Sequence, residues 1–192
     1  MWNPEKYIQT WRFACQAHEG QLVPGTELPY VNHIGNVAME VMGAIAMNSG
    51  IEKPDLAVQC ALLHDVIEDT APTSSRGQAV THTQLQSTFG LDVANGVLAL
   101  TKDKTLPTKA AQMADSLARI KQQPIEVWLV KLADRITNLQ PPPSHWNRQK
   151  INAYREEAKQ ILDELETAVP YLAARLAQKI DIYKQFCTDN GK

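Results

Sequence analysis

Cysteine is scarce. Cys15, Cys60 and Cys187 are odd in number, widely spread, and form no CxxC pair. That excludes a disulfide framework and a cysteine zinc knuckle. Free thiols suit a reducing compartment, so a cytoplasmic setting is expected. No uninterrupted apolar run approaches the roughly 20 residues that span a bilayer, so no membrane association is expected. The opening Met1-Trp2-Asn3-Pro4-Glu5-Lys6 has no apolar signal core. Net charge is small, −2, from 19 basic and 21 acidic side chains. Bulk charge therefore points neither to nucleic acid nor to an acidic membrane. Repeats are absent, and the one low-complexity tract is Pro141-Pro142-Pro143. β-Branched alternation is missing too, so the fold class is read as all-α, a single helical bundle. The 192 residues are read as one domain over 1–192.

What is present is helical periodicity with clear punctuation. Asn3-Pro4-Glu5 supplies a cap, a proline at the first helical position and an early acid. That helix is expected to reach about Glu19, with Gly20 ending it. Gly20 to Tyr30 holds two Gly and two Pro and reads as an irregular loop. His33 stands at the mouth of the next helix, with Val37, Val41, Ala44 and Ile45 at helical spacing. Lys53-Pro54-Asp55 opens a third helix, which Pro72 stops; 73–81 reads as a mobile loop. Short helices follow over Thr81–Phe89 and Leu91–Leu100, then a polar loop at Thr101–Thr105. Pro107–Lys121 and a helix from Pro124 to Leu139 come next. The tail, about 146–187, reads as two long amphipathic helices.

One stretch concentrates chemistry: Ala61-Leu62-Leu63-His64-Asp65-Val66-Ile67-Glu68-Asp69-Thr70. Wound as one continuous helix at about 100° per residue, it puts His64, Asp65, Glu68 and Asp69 on one arc. Leu62, Leu63, Val66 and Ile67 fill the other. Ala57 and Ala61 fall on the charged arc, where small side chains would leave room. The nearest basic residues, Lys53 and Arg76, lie outside the segment. Three unbalanced carboxylates beside an imidazole want a cation. The plainer alternative is a solvated acidic face.

Trp128-Leu129-Val130-Lys131-Leu132-Ala133-Asp134-Arg135-Ile136-Thr137-Asn138-Leu139 has a similar division. Asp134, Asn138, Lys131 and Arg135 share a face opposite an aliphatic stripe. Alone this is equally readable as a surface ion pair. A divalent metal needs donors converging from different elements, and the candidates are His33, His64, Asp65 and Asp134. Only a fold that brings three helices together can join them.

These residues resemble the H…HD…D pattern of HD-domain metal-dependent phosphohydrolases. Pro29-Tyr30-Val31-Asn32-His33, the 61–70 stretch, Phe89-Gly90, Leu100-Thr101-Lys102 and Val130–Leu139 are similar to the hydrolase domain of the RelA/SpoT homologues and to the small stand-alone alarmone hydrolases. The similarity spans about 7–139. It implies a fold of roughly ten helices and Mn²⁺-dependent hydrolysis of the 3′-pyrophosphate of ppGpp. By resemblance, His33, His64, Asp65 and Asp134 would hold the metal, and Glu68 and Asp69 would position and deprotonate water. Lys102, Lys104, Lys131 and Arg135 are available to neutralise phosphate. Asn138 resembles a substrate-side Asn of the family.

One departure stands out. The family carries cations in the loop before the first His, whereas none lies between Gly20 and His33 here. Two other readings therefore stay open: hydrolysis of another nucleotide such as NADPH or a nucleoside phosphate, and a nucleotide sensor without turnover. His18 reads as a helix C-terminal residue, His82 as an exposed helix start, and His145 as a residue without an evident partner. Trp146 is an indole at a loop edge, placed to stack on a base. The partner expected is a small nucleotide.

Overall fold

The computed structural model describes residues 1–70 and 79–187. The described elements are α1 (Pro4–Ala17), α2 (Val31–Met47), α3 (Pro54–Leu63), α4 (Val66–Asp69), α5 (His82–Phe89), α6 (Leu91–Leu100), α7 (Lys109–Lys121), α8 (Ile125–Asn138), α9 (Arg148–Leu165) and α10 (Pro170–Tyr183). A 3₁₀ turn, Lys184–Phe186, follows α10. The fold is all-α; among the described residues the only β pairing is an isolated Leu22–Pro29 bridge.

The helix starts follow the local chemistry. Asn3 Oδ1 accepts from the Glu5 and Lys6 amides, with Pro4 first in α1. Thr81, Thr108 and Asn147 cap α5, α7 and α9 in the same way. The caps place α7 and α9 two residues later than the apolar pattern indicates. At the other end, α1 stops at Ala17 and His18 caps it; Gly20, at φ 70°, turns the chain away.

The bundle is organised around α3, which packs on α1, α2, α6 and α8. Every residue from Leu56 to Leu63 is buried, as a helix enclosed on all sides requires. This corrects the reading of Ala57 and Ala61. Both are fully buried against neighbouring helices and leave no room beside an acidic face. Gly96 of α6 shows how close the packing is: a Cβ there would lie 2.7 Å from Cys60 Sγ and 3.0 Å from Val127 Cγ2.

α2, α3 and α8 touch one another pairwise. Behind them α9 packs on α8, and α10 packs on α8, α9 and α2. Arg175 of α10 grips the buried Glu40 of α2 through two hydrogen bonds. Pro72, Arg76 and most of the loop read over 73–81 lie outside the described residues. Among the described residues, no helix is long and apolar enough to cross a membrane.

Candidate metal centre

The third helix does not run on through the acidic stretch as one rod. α3 ends at Leu63, His64 and Asp65 form a turn, and α4 starts at Val66. Asp65, at φ −103° and ψ −5°, bends the chain out of helical register. The bend brings the adjacent His64 and Asp65 side chains to one point: His64 Nε2 lies 2.9 Å from Asp65 Oδ2. Neighbours on a straight helix diverge by about 100° and cannot do this.

His33, from the first turn of α2, brings its Nε2 to 3.1 Å from His64 Nε2. It also lies 3.6 Å from Asp65 Oδ2 and 3.5 Å from Asp134 Oδ1. Asp134 of α8 completes the group, 3.8 Å from His64 Nε2. Both imidazoles are anchored on the far side. His64 Nδ1 donates to the Ala61 carbonyl at 2.9 Å, which leaves the Nε2 lone pair facing inward. His33 Nδ1 faces Thr137 Oγ1 at 3.4 Å. Tyr30 donates from its hydroxyl to Asp65 Oδ2 at 2.5 Å. Asn138 Nδ2 donates to Asp134 Oδ1 at 2.5 Å.

Two imidazoles and two carboxylates thus converge on one spot with outer partners in place. Ligands about 2.1 Å from one ion, at right or tetrahedral angles, stand roughly 3.0–3.4 Å apart. The inter-donor distances of 2.9 to 3.8 Å suit a shared ion. The group of His33, His64 and Asp134 is tight enough to hold a metal with one atom from each, and Asp65 lies against both histidines. The electrostatics agree. Burial opposes a charge on His33, yet hydrogen bonds to Asp134 and Asp65 overcome it and raise its pKa to about 10. Burial likewise opposes charge on Asp65, but His64 and His33 hold it well below the usual carboxylate range. Asp134 is held low against burial by His33 and Lys131. The site demands a positive charge between its two carboxylates.

Glu68, Asp69, Lys102, Lys131 and Asn138 line the same cleft, of about 160 Å³, with Tyr30 and Leu100. Glu68 Oε2 accepts from the Lys102 amide at 3.2 Å, and Lys104 Nζ lies 3.7 Å from Oε1. Asp69 Oδ2 accepts from Gln21 Nε2 at 2.7 Å. Lys131 is buried, which lowers its pKa, and its Nζ sits 3.8 Å from Asp134 Oδ2. A wider groove of about 470 Å³ shares Glu68 and Lys102 with the cleft. Lys104, Lys109, Trp146, Lys150 and Tyr154 line it. Lys150 Nζ stands 4.1 Å over the Trp146 ring.

Arg135 is not brought into the cleft. Its guanidinium lies 4.3 Å over the Tyr154 ring and 3.3 Å from Glu157 Oε2, turned toward α9. His82 is half-buried against Asn95, not exposed, and His145 is exposed. His18 is a helix C-terminal residue, as expected, and three other residues around the centre carried no role in the sequence reading: Gln21, Tyr30 and Thr137. Tyr30 precedes His33 by one turn, so spacing could have flagged it. Gln21 carries no local signal, since only the tertiary fold brings it to Asp69.

Comparison with known proteins fits this geometry. The HD domain family model matches residues 10–169. The guanosine-3′,5′-bis(diphosphate) 3′-pyrophosphohydrolase MESH1 of Danio rerio is 32% identical over 176 residues, covering 89% of this chain and 90% of its own. The Homo sapiens protein of that name is 32% identical over 163 residues, covering 80% and 81%. A solved structure described as a metazoan ortholog of SpoT that hydrolyzes ppGpp superposes with a TM-score of 0.77. It is 26% identical and covers 95% of this chain and 97% of its own. With a family model that spans 10–169 and a relative 32% identical over most of both chains, one assignment follows: the chain belongs to the HD domain family.

Proposed function

We propose that this protein is a divalent-metal-dependent phosphohydrolase that removes the 3′-pyrophosphate of ppGpp. The observation that carries the reading is the convergence of His33, His64, Asp65 and Asp134 beside an acidic pair, Glu68 and Asp69. The names of the relatives support the substrate. Mixed imidazole and carboxylate donors favour a borderline-hard ion, and Mn²⁺ is our choice. Such an ion, when bound, acidifies water and polarises a phosphoryl oxygen.

The chain's own residues supply the rest. Glu68 and Asp69 lie beyond the donor set in the cleft, where a carboxylate can accept the proton of an attacking water. A sensor has no need of such a pair. Lys102 and Lys131 face the cleft, and Lys104 faces the groove. Their charges offset those of a pyrophosphate. Asn138 can donate to a sugar or phosphate oxygen once it is released from Asp134. The groove with Trp146, Tyr154 and Lys150 offers stacking area and a cation to the remainder of the nucleotide. The free thiols support a cytoplasmic setting. The packing of α9 and α10 on α8 supports one domain across the chain.

The loop from Gly20 to Tyr30 exposes Leu22 and Leu28 and carries no cation. This favours loose discrimination of the base, so other nucleotides belong in the assay. The test is steady-state hydrolysis of ppGpp, NADPH and simple nucleoside phosphates by Mn²⁺-loaded protein. Mn²⁺-dependent release of pyrophosphate from ppGpp is expected. Turnover of another nucleotide without ppGpp cleavage would move the assignment to that substrate. Tight binding with no turnover at all would make the protein a sensor.

A further inference from the structure

Of the three buried histidines, His33 and His64 meet at the metal centre and His18 does not. His18 caps α1 with its ring 5.0 Å from that of Tyr30. Its Nδ1 lies 2.7 Å from Gln21 Oε1. The other end of that amide donates to Asp69 Oδ2 at 2.7 Å. An ionised carboxylate only accepts, so the amide nitrogen faces Asp69 and the amide oxygen faces His18. That oxygen also only accepts, which puts the His18 proton on Nδ1. Each hydrogen bond from His18 through Gln21 to Asp69 therefore has a fixed direction.

Two further features give this chain of bonds a purpose. The buried Nε2 of His18 meets no hydrogen-bond partner among the described residues. A buried acceptor left unpaired costs stability, so a residue kept for packing alone would be better replaced by phenylalanine. The helix that presents Asp69 is only four residues long. One turn of helix orients its side chains weakly by itself. Gln21 stands at the foot of the loop, where its carbonyl accepts from the Tyr30 amide at 2.9 Å. The same foot grips both ends of the acidic stretch: Tyr30 holds Asp65 and Gln21 holds Asp69.

We propose that Gln21, oriented by His18, is the positioning residue for Asp69. This rests on the reading of Asp69 as an acid that handles water. Gln21→Glu keeps the shape and the acceptor toward His18, and replaces the donor toward Asp69 with a carboxylate oxygen that repels it. Its kcat should fall roughly 10- to 100-fold, up to the scale of losing the general base itself. KM and Mn²⁺ content should not change. His18→Phe keeps a ring against Tyr30 and removes the donor to Gln21. It should lose kcat by a similar factor without a lower Tm. His18→Asn keeps a donor near the Nδ1 position and should recover most of the activity. Wild-type kcat in Gln21→Glu overturns the proposal. So does loss of Mn²⁺ with kcat, or a kcat that tracks Tm across the variants. If the wild type turns over no nucleotide, the hydrolase reading fails on its own account. The decision then passes to NMR of the His18 Nδ1 proton. A slowly exchanging signal that disappears in Gln21→Leu upholds the His18–Gln21 contact, and a signal that persists overturns it.

Discussion

His64 and Asp65 are adjacent in sequence yet share one focus, because the backbone turns between them. Glu68 and Asp69 stand beyond that focus and are held by other partners: the Lys102 amide for one, Gln21 for the other. If they handle water and not the ion, Glu68→Gln and Asp69→Asn should keep the metal. Turnover should then drop by about 10²-fold or more, the usual scale for losing a general base. Elemental analysis beside steady-state rates checks this, and variants that arrive metal-free would make these residues ligands. Arg135 makes the opposite case. Its charge is spent on Glu157 and the Tyr154 ring, at 3% exposure. Arg135→Ala should therefore leave KM unchanged and cost about 2 kcal/mol of stability. Thermal denaturation should show a Tm lower by roughly 4–8 °C for a chain of this size. A raised KM with unchanged Tm would return Arg135 to the substrate. The helical wheel set Lys131, Asp134, Arg135 and Asn138 on one face and could not separate them. Which of them turns to the cleft depends on α9, which no local pattern reports.

Elements with strong local punctuation were legible in the sequence. Asn3-Pro4 opens α1 and Pro54 opens α3 where their chemistry dictates. The amphipathic stripe of α8 was legible too: its aliphatic side, Leu129, Leu132, Ala133 and Ile136, is buried. The break at His64–Asp65 was not. An unbroken run without Gly or Pro from Ala61 to Thr70 gives no warning of a bend that is stabilised by the His64 bond to Ala61 and by long-range partners of Asp65. The small pairing at Leu22–Pro29 was hidden for a similar reason, since two glycines and two prolines read as coil. Close helix approach is equally silent in sequence, and Gly96 tests it. On propensity alone Gly96→Ala should stabilise α6 by about 1 kcal/mol. The new methyl group would instead press on Cys60 Sγ and Val127 Cγ2, both on buried residues of α3 and α8. Overpacking of this kind costs roughly 1–3 kcal/mol. Net destabilisation is expected by chemical denaturation. A gain in stability would mean that Cys60 can rotate away at little cost.

On the scale of the whole molecule, the candidate metal centre lies where three helices are tied together, so ion binding there would be linked to folding. In the metal-free protein, His33 serves as the stand-in cation. Its pKa is raised from 6.5 to about 10 by Asp134 and Asp65, against the effect of burial. Protonation of His33 therefore stabilises the metal-free fold fully below pH 6.5, and that contribution is lost as pH rises through about 10. The two aspartates are held low and stay ionised across this window. Metal binding needs the bare Nε2 of His33, so it must displace that proton. Each unit of pH between 6 and 8 should then tighten apparent affinity at least tenfold, since the proton on His33 is released together with any on His64, whose pKa Asp65 raises against burial. Two trends should run in opposite directions. The Tm of chelator-treated protein should fall from pH 6 to 8, while the rise in Tm on adding a fixed excess of Mn²⁺ should grow. A Mn²⁺-induced shift of equal size at both pH values would mean that no proton is displaced. His33 would then be neutral in the metal-free protein, and the two carboxylates would have to be balanced by Lys131, whose Nζ lies 3.8 Å from Asp134 Oδ2.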